Sequence, residues 1–183
     1  GYIKNLTIKD TDFVFDNAES YPFGSIAFGS ATDDVLVIEN CHNYANITIK
    51  EGGNFAIGGI VGECEDNTYI YNCSNHGNIN VNQDTGYHPV VGGIGGLVFS
   101  IEFCYNTGDI NVESSFTNTL KVGGIAGSAS KAIRNCYNTG NVETTIYNDG
   151  TSFTGGIIGY GEGNGVLMSC YNVGHVKGNI SSG

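Results

Sequence analysis

Short apolar stretches recur along the chain, separated by Gly, Asn, Thr and Ser, and none keeps the 3.6-residue period of an amphipathic helix. The pattern repeats as a whole. IENCHNYANITI at 38–49 returns as IYNCSNHGNINV at 70–81, IEFCYNTGDINV at 101–112, IRNCYNTGNVET at 133–144 and LMSCYNVGHVKG at 167–178. Their cysteines, Cys41, Cys73, Cys104, Cys136 and Cys170, are 32, 31, 32 and 34 residues apart. Ile3-Lys4-Asn5-Leu6 is a degenerate first copy. A second block, IGGIVG at 57–62, VGGIGG at 91–96, VGGIAG at 122–127 and TGGIIG at 154–159, follows each cysteine slot at constant phase, with Phe23-Gly24-Ser25-Ile26 as its worn first copy.

Each unit contains three β-prone stretches too short to bury a face alone, so successive units must stack and pair in parallel. The repeat predicts an all-β parallel β-helix, a solenoid with three short strands per coil, about 32 residues per coil and five to six coils. The three strands are Gly-Gly-Ile, Ile-x-Asn-Cys and a third such as Asn78–Val81. The whole of 1–183 reads as one fragment of a larger protein, with units of about 1–22, 23–56, 57–90, 91–121, 122–153 and 154–183. Aliphatic ladders are expected at Ile26/Ile60/Ile94/Ile125/Ile157, at Ile3/Ile38/Ile70/Ile101/Ile133/Leu167 and at Ile47/Ile79/Ile110/Val142/Val176.

The Ile and Cys slots lie three apart, which on a flat strand would point them to opposite faces. A bend near Asn5, Asn40, Asn72, Phe103, Asn135 and Ser169 would turn both inward. Beyond each cysteine comes Asn43, Asn75, Asn106, Asn138 or Asn172, and then Gly77, Gly108, Gly140 or Gly174, with Ala45 the exception. Asn tolerates left-handed backbone and Gly takes positive φ, so this segment is expected to be a corner carrying an Asn ladder from coil to coil.

Composition narrows the chemistry. Seven Lys and Arg against 18 Asp and Glu give a formal charge of −11, with no basic cluster to neutralise phosphates, which excludes a nucleic-acid surface. No apolar run is long enough for a membrane-spanning helix. Five cysteines in one slot are expected to be free, inward-facing thiols, with Cys64 off the ladder in a loop. The histidines fall at corners and do not converge with the cysteines, which argues against zinc. Asp33, Asp34, Glu63, Glu65 and Asp66 lie in equivalent loops, where stacking would produce either a solvated acidic edge or a calcium site; no other cofactor is implied. The segments that vary most, 50–56, 82–90, 113–121 and 145–154, carry Tyr87, His88, Phe116 and Tyr147, which serve either as ligand-binding aromatics or as packing over a sheet edge.

The alternation of V-G-G-I-x-G with I-x-N-C-Y-N-T-G resembles the GLUG-type repeat of bacterial surface proteins, a family that includes segments of immunoglobulin A peptidases and other large wall-anchored or secreted proteins. The resemblance implies a β-helical surface segment; the peptidase activity belongs to other domains, and no His-Glu-x-x-His occurs here. The expectation is therefore a non-catalytic structural or adhesive module, extracellular or on a bacterial cell surface, that meets a host protein or glycan. The competing reading is a polysaccharide lyase or glycoside hydrolase, which rests on fold analogy alone; Lys131 and Arg134 are the only close basic pair, and no aligned acidic cluster faces them in the sequence. The first unit, with Phe13 and Phe15, is expected to be partly capped. The last is expected to be open, giving a monomer with weak end-to-end association.

Overall fold

The computed structural model describes residues 1–16, 21–30, 35–51, 56–64, 66–83, 88–115, 119–163 and 165–180. The chain is an all-β parallel solenoid of about five turns, and the described residues contain no helix. All strand pairs are parallel and in register by slot. Ile3, Ile38, Ile70, Ile101, Ile133 and Leu167 pair in one column. Ile47, Ile79, Ile110, Val142 and Val176 pair in another, with Phe13 below Ile47.

Each coil is divided among four sheets rather than the expected three. The first sheet holds the residues leading into each Gly-Gly pair: Phe23–Gly24, Ala56–Gly58, Val90–Gly92, Thr119–Gly123 and Thr151–Gly155. Gly-Gly-Ile is the corner that follows, not a strand, although Ile60, Ile94 and Ile125 stack there fully buried. The second sheet has nine strands, because its two halves fuse only in the middle coils, as Gly95–Glu102 and Ala126–Arg134. The third consists of two-residue strands such as Tyr105–Asn106, and the fourth of strands such as Ile79–Gln83.

The vertex between the second and third sheets is the expected bend. Asn5, Asn40, Asn72, Phe103, Asn135 and Ser169 have φ of 58°, 54°, 51°, 55°, 52° and 54°. One left-handed residue reverses the alternation, so the Ile before it and the Cys after it both face the core. Each thiol then lies against the carbonyl two residues back, as Cys104 Sγ does at 3.2 Å from Glu102 O.

The core is two separate apolar columns. One contains Ile60, Ile70, Cys73 and their equivalents; the other contains Ile57, Ile79, Val81 and theirs. Between them the coil is pinched. Along the chain Gly59 falls between Ile57 and Ile60, and Asn75 between Cys73 and Ile79, so Gly and Asn meet at the waist. A Cβ built on Gly59, Gly93, Gly124 or Gly156 would collide with the amide of Asn75, Asn106, Asn138 or Asn172 respectively.

These buried amides form a continuous chain. Asn43 Nδ2 donates to Asn75 Oδ1 at 2.8 Å, Asn75 to Asn106 at 2.7 Å, Asn106 to Asn138 at 2.8 Å and Asn138 to Asn172 at 2.7 Å. Each also donates to the carbonyl two residues on, such as Asn106 to Gly108 O at 2.8 Å. The expected ladder is present, but its asparagines lie in strands with ordinary φ, and Gly77, Gly108, Gly140 and Gly174, at the bend just beyond, do not have positive φ either. Those glycines are required by proximity instead: a Cβ on Gly108 would penetrate the backbone carbonyl of Gly77. Ala45 is the exception, and in the coil before it Asp10, two residues beyond the paired Ile8, has φ 56°.

The ends differ. Phe13, Phe15 and Phe23 close the lower end edge-to-face, with ring centroids 5.1 and 4.9 Å apart. In the last coil Val166, Leu167, Met168, Tyr171 and Val173 are exposed.

Two substitutions test the waist and the coil contact. Asn106→Ala orphans the Asn75 donor and the Asn138 acceptor, and is expected to cost about 3 kcal/mol in denaturant unfolding. Gly108→Ala is expected to cost about 3 kcal/mol or more through overpacking. Gly161→Ala, where an added Cβ meets nothing within 4 Å, should be near neutral. Equal effects at Gly108 and Gly161 would refute the proximity argument.

Candidate functional site

The acidic loop set is only partly within the described structure, since Asp33, Asp34 and Glu65 lie outside it. Glu63 sits on the strand Val61–Cys64, paired with Gly29 and Leu97, and Asp66 is exposed at the turn that follows. Among the described residues no three His, Cys, Asp or Glu side chains assemble as a metal cluster.

The aromatic loop set is likewise divided. Tyr87 and Phe116 lie outside the described residues. His88 Nδ1 accepts the Thr119 amide at 3.0 Å beside the first sheet, while Tyr147 follows the fourth sheet and donates its hydroxyl to Glu113 Oε2 at 3.3 Å. The Glu113 carboxylate pushes the Tyr147 phenol above its ordinary range. These two side chains bind their own neighbours and serve different sheets.

The six thiols are free. Cys64 corrects the loop expectation: it ends a second-sheet strand with its side chain buried in the same column as Val98 and Ala129. Burial pushes its thiol up to about 12, and burial likewise holds Cys104 well above the ordinary thiol range. Such neutral thiols pack as small apolar groups and are poor nucleophiles.

A polar network that the sequence reading missed joins histidines from successive coils. Ser74 Oγ lies 2.7 Å from His42 Nδ1 and 3.0 Å from His76 Nε2. His42 Nε2 reaches Asn40 Oδ1 at 3.2 Å, and His76 Nδ1 reaches Thr107 Oγ1 at 3.0 Å. One set of neutral tautomers satisfies every contact, with Ser74 donating to His42 and accepting from His76. Burial, then the facing His42, lowers the His76 pKa. Ser74 is fully buried, so its hydroxyl is a structural bridge rather than an available nucleophile. The only signal for this network was that Ser74 occupies the slot of His42 one coil later.

The outer surface carries aligned rows. Tyr105, Tyr137 and Tyr171 stack with centroids 4.9 and 5.2 Å apart and rings within 6° of parallel. The basic pair is occupied: Arg134 Nη1 contacts Glu102 Oε1 at 3.2 Å, and Lys131 Nζ lies 4.8 Å over the Phe99 ring. On the fourth sheet a shallow groove runs past Thr48, Asn80, Asn111 and Glu113, with Asn111 Nδ2 donating to Asn80 Oδ1 at 3.1 Å. A cavity of about 190 Å³ near the last coil is walled by Ala129, Ile133, Ile158 and Leu167, and of the side chains lining it only Lys131 is ionisable.

The family model for the GLUG motif matches residues 115–143. That span is a little less than one turn and includes the Gly123-Gly124 corner, the bend at Asn135, and Cys136, Asn138 and Gly140. No curated protein and no solved structure matches the chain.

The buried thiol gives a pH prediction. The folded pKa of Cys64 is raised, so its contribution to stability is complete below the unfolded value of about 8.5 and is lost as pH rises toward about 12. Cys64→Val should leave stability at pH 7 within about 1 kcal/mol of the parent and make the decline above pH 9 shallower. Thermal melts from pH 7 to 11 measure this, and an unchanged alkaline slope would contradict it.

Proposed function

We propose that this GLUG-motif β-solenoid module is a non-catalytic, rigid segment of a bacterial cell-surface or secreted protein, holding a binding surface for a host protein or a glycan. The observation that carries the reading is the Asn chain, which runs unbroken from Asn43 to Asn172 and ties every coil it crosses to the next. A solenoid coupled at each step by buried, mutually polarising hydrogen bonds resists bending and local opening. That stiffness suits a spacer, and it holds surface side chains at fixed intervals of about 4.8 Å per coil.

The ionisable groups support the non-catalytic reading. Arg134, Lys4 and Lys121 are paired with Glu102, Glu39 and Glu162 at 3.2, 2.7 and 3.3 Å, and each pair links one coil to another. They neutralise one another across coils rather than converging on a substrate-sized space. A lyase would require a basic group poised beside a bound uronate, and Arg134 is occupied by Glu102.

Incubation with a panel of neutral and acidic polysaccharides, assayed for new reducing ends and unsaturated products, should give no turnover. Product formation that disappears in Arg134→Ala would replace this proposal with the enzyme reading.

A further inference from the structure

Phe103 stands where the fold least favours it. It occupies the left-handed vertex with φ 55°, in the column held by Asn5, Asn40, Asn72 and Asn135, and by the small Ser169, in other coils. Asn adopts this conformation readily, whereas a bulky aromatic does so at a cost in backbone strain. Phe103 also interrupts an outer amide ladder, in which Asn40 Nδ2 donates to Asn5 Oδ1 at 2.8 Å and Asn72 Nδ2 to Asn40 Oδ1 at 3.4 Å. Burial does not offset either loss, because the residue is 57% exposed. A strained, exposed aromatic that the fold would exchange for Asn is a feature whose benefit lies outside the fold.

Its surroundings define the chemistry. On one flank runs the row Lys4, Glu39, Tyr71, Glu102, Arg134 and Met168, whose charges cancel as Lys4–Glu39 and Glu102–Arg134 pairs. On the other flank runs the stacked row Tyr105, Tyr137 and Tyr171. The face is a ridge without net charge on a chain of net charge −11, which repels polyanions. It offers one apolar ring and a line of phenols that repeats once per coil.

We propose that the ridge centred on Phe103 binds a neutral, unbranched β-linked glycan lying along the solenoid axis. The Phe103 ring packs on the C–H face of one pyranose, and Tyr105, Tyr137 and Tyr171 hydrogen-bond to hydroxyls of successive sugars. The advance of about 4.8 Å per coil approximates the length of one pyranose unit. This inference rests on the binding-module reading but places the ligand on the vertex between the second and third sheets, not on the variable loops.

The test is titration calorimetry of the 183-residue chain with cellohexaose, xylohexaose and hexagalacturonate, together with thermal melts. At least one neutral hexasaccharide should bind and the acidic one should not. Phe103→Asn should weaken binding by about tenfold or more while raising the melting temperature, an outcome that misfolding cannot imitate. Phe103→Tyr should retain binding. The inference fails if neither neutral sugar binds, if hexagalacturonate binds as well as they do, if Phe103→Asn binds like the parent, or if that variant melts lower. Sugar cleavage during titration would instead overturn the non-catalytic reading, so the two failures are distinguishable.

Discussion

A buried carboxamide facing a glycine is the contact from which the rest of this solenoid follows. At the waist of each coil the amide of Asn75, Asn106, Asn138 or Asn172 occupies the space a Cβ would take on Gly59, Gly93, Gly124 or Gly156. The amide is tolerable there only because its neighbours above and below complete its hydrogen bonds, since an unpartnered amide would carry a large desolvation penalty. Each coil therefore depends on the next for polar satisfaction as well as for apolar burial. The two halves of the repeat, Gly-Gly-Ile and Cys-x-Asn, persist together because they are the two sides of one contact.

This contact separates the aliphatic interior into two columns and sets their width. The left-handed residue at the next vertex completes the arrangement by turning Ile and Cys to the same side. Inside, side chains are nearly interchangeable from coil to coil, with Ile above Ile and Cys above Cys. Outside, slots are free to vary, and two residues depart from Asn in the left-handed column, Ser169 and the bulkier Phe103, whose aromatic side chain goes furthest against the local backbone preference. The Phe103 vertex is one of three, with Asn135 and Ser169, that the tyrosine row flanks.

The surface chemistry has the same axial character. Ion pairs, stacked rings and the His42–Ser74–His76 bridge all run from coil to coil. Stacking like units therefore places like groups along a line on the outside as it does within.

The repeat by itself determined the solenoid, its period, the aliphatic columns, the inward cysteines and the bend at Asn5 through Ser169, because each is a property of position within a unit and every unit restates it. Tertiary structure decided what depends on distances across the coil or between coils. It split each coil into four sheets, since two adjacent glycines facing an amide make a corner rather than a strand. It showed that Gly108 is required by the carbonyl of Gly77 and not by its own φ. Cys64 entered the core because its strand pairs beside Val98, and Ser74 came to rest between two histidines 34 residues apart. A one-dimensional repeat states which residues share a slot; only the folded coil states which slots touch, and it is the touching that fixes size, burial and charge pairing.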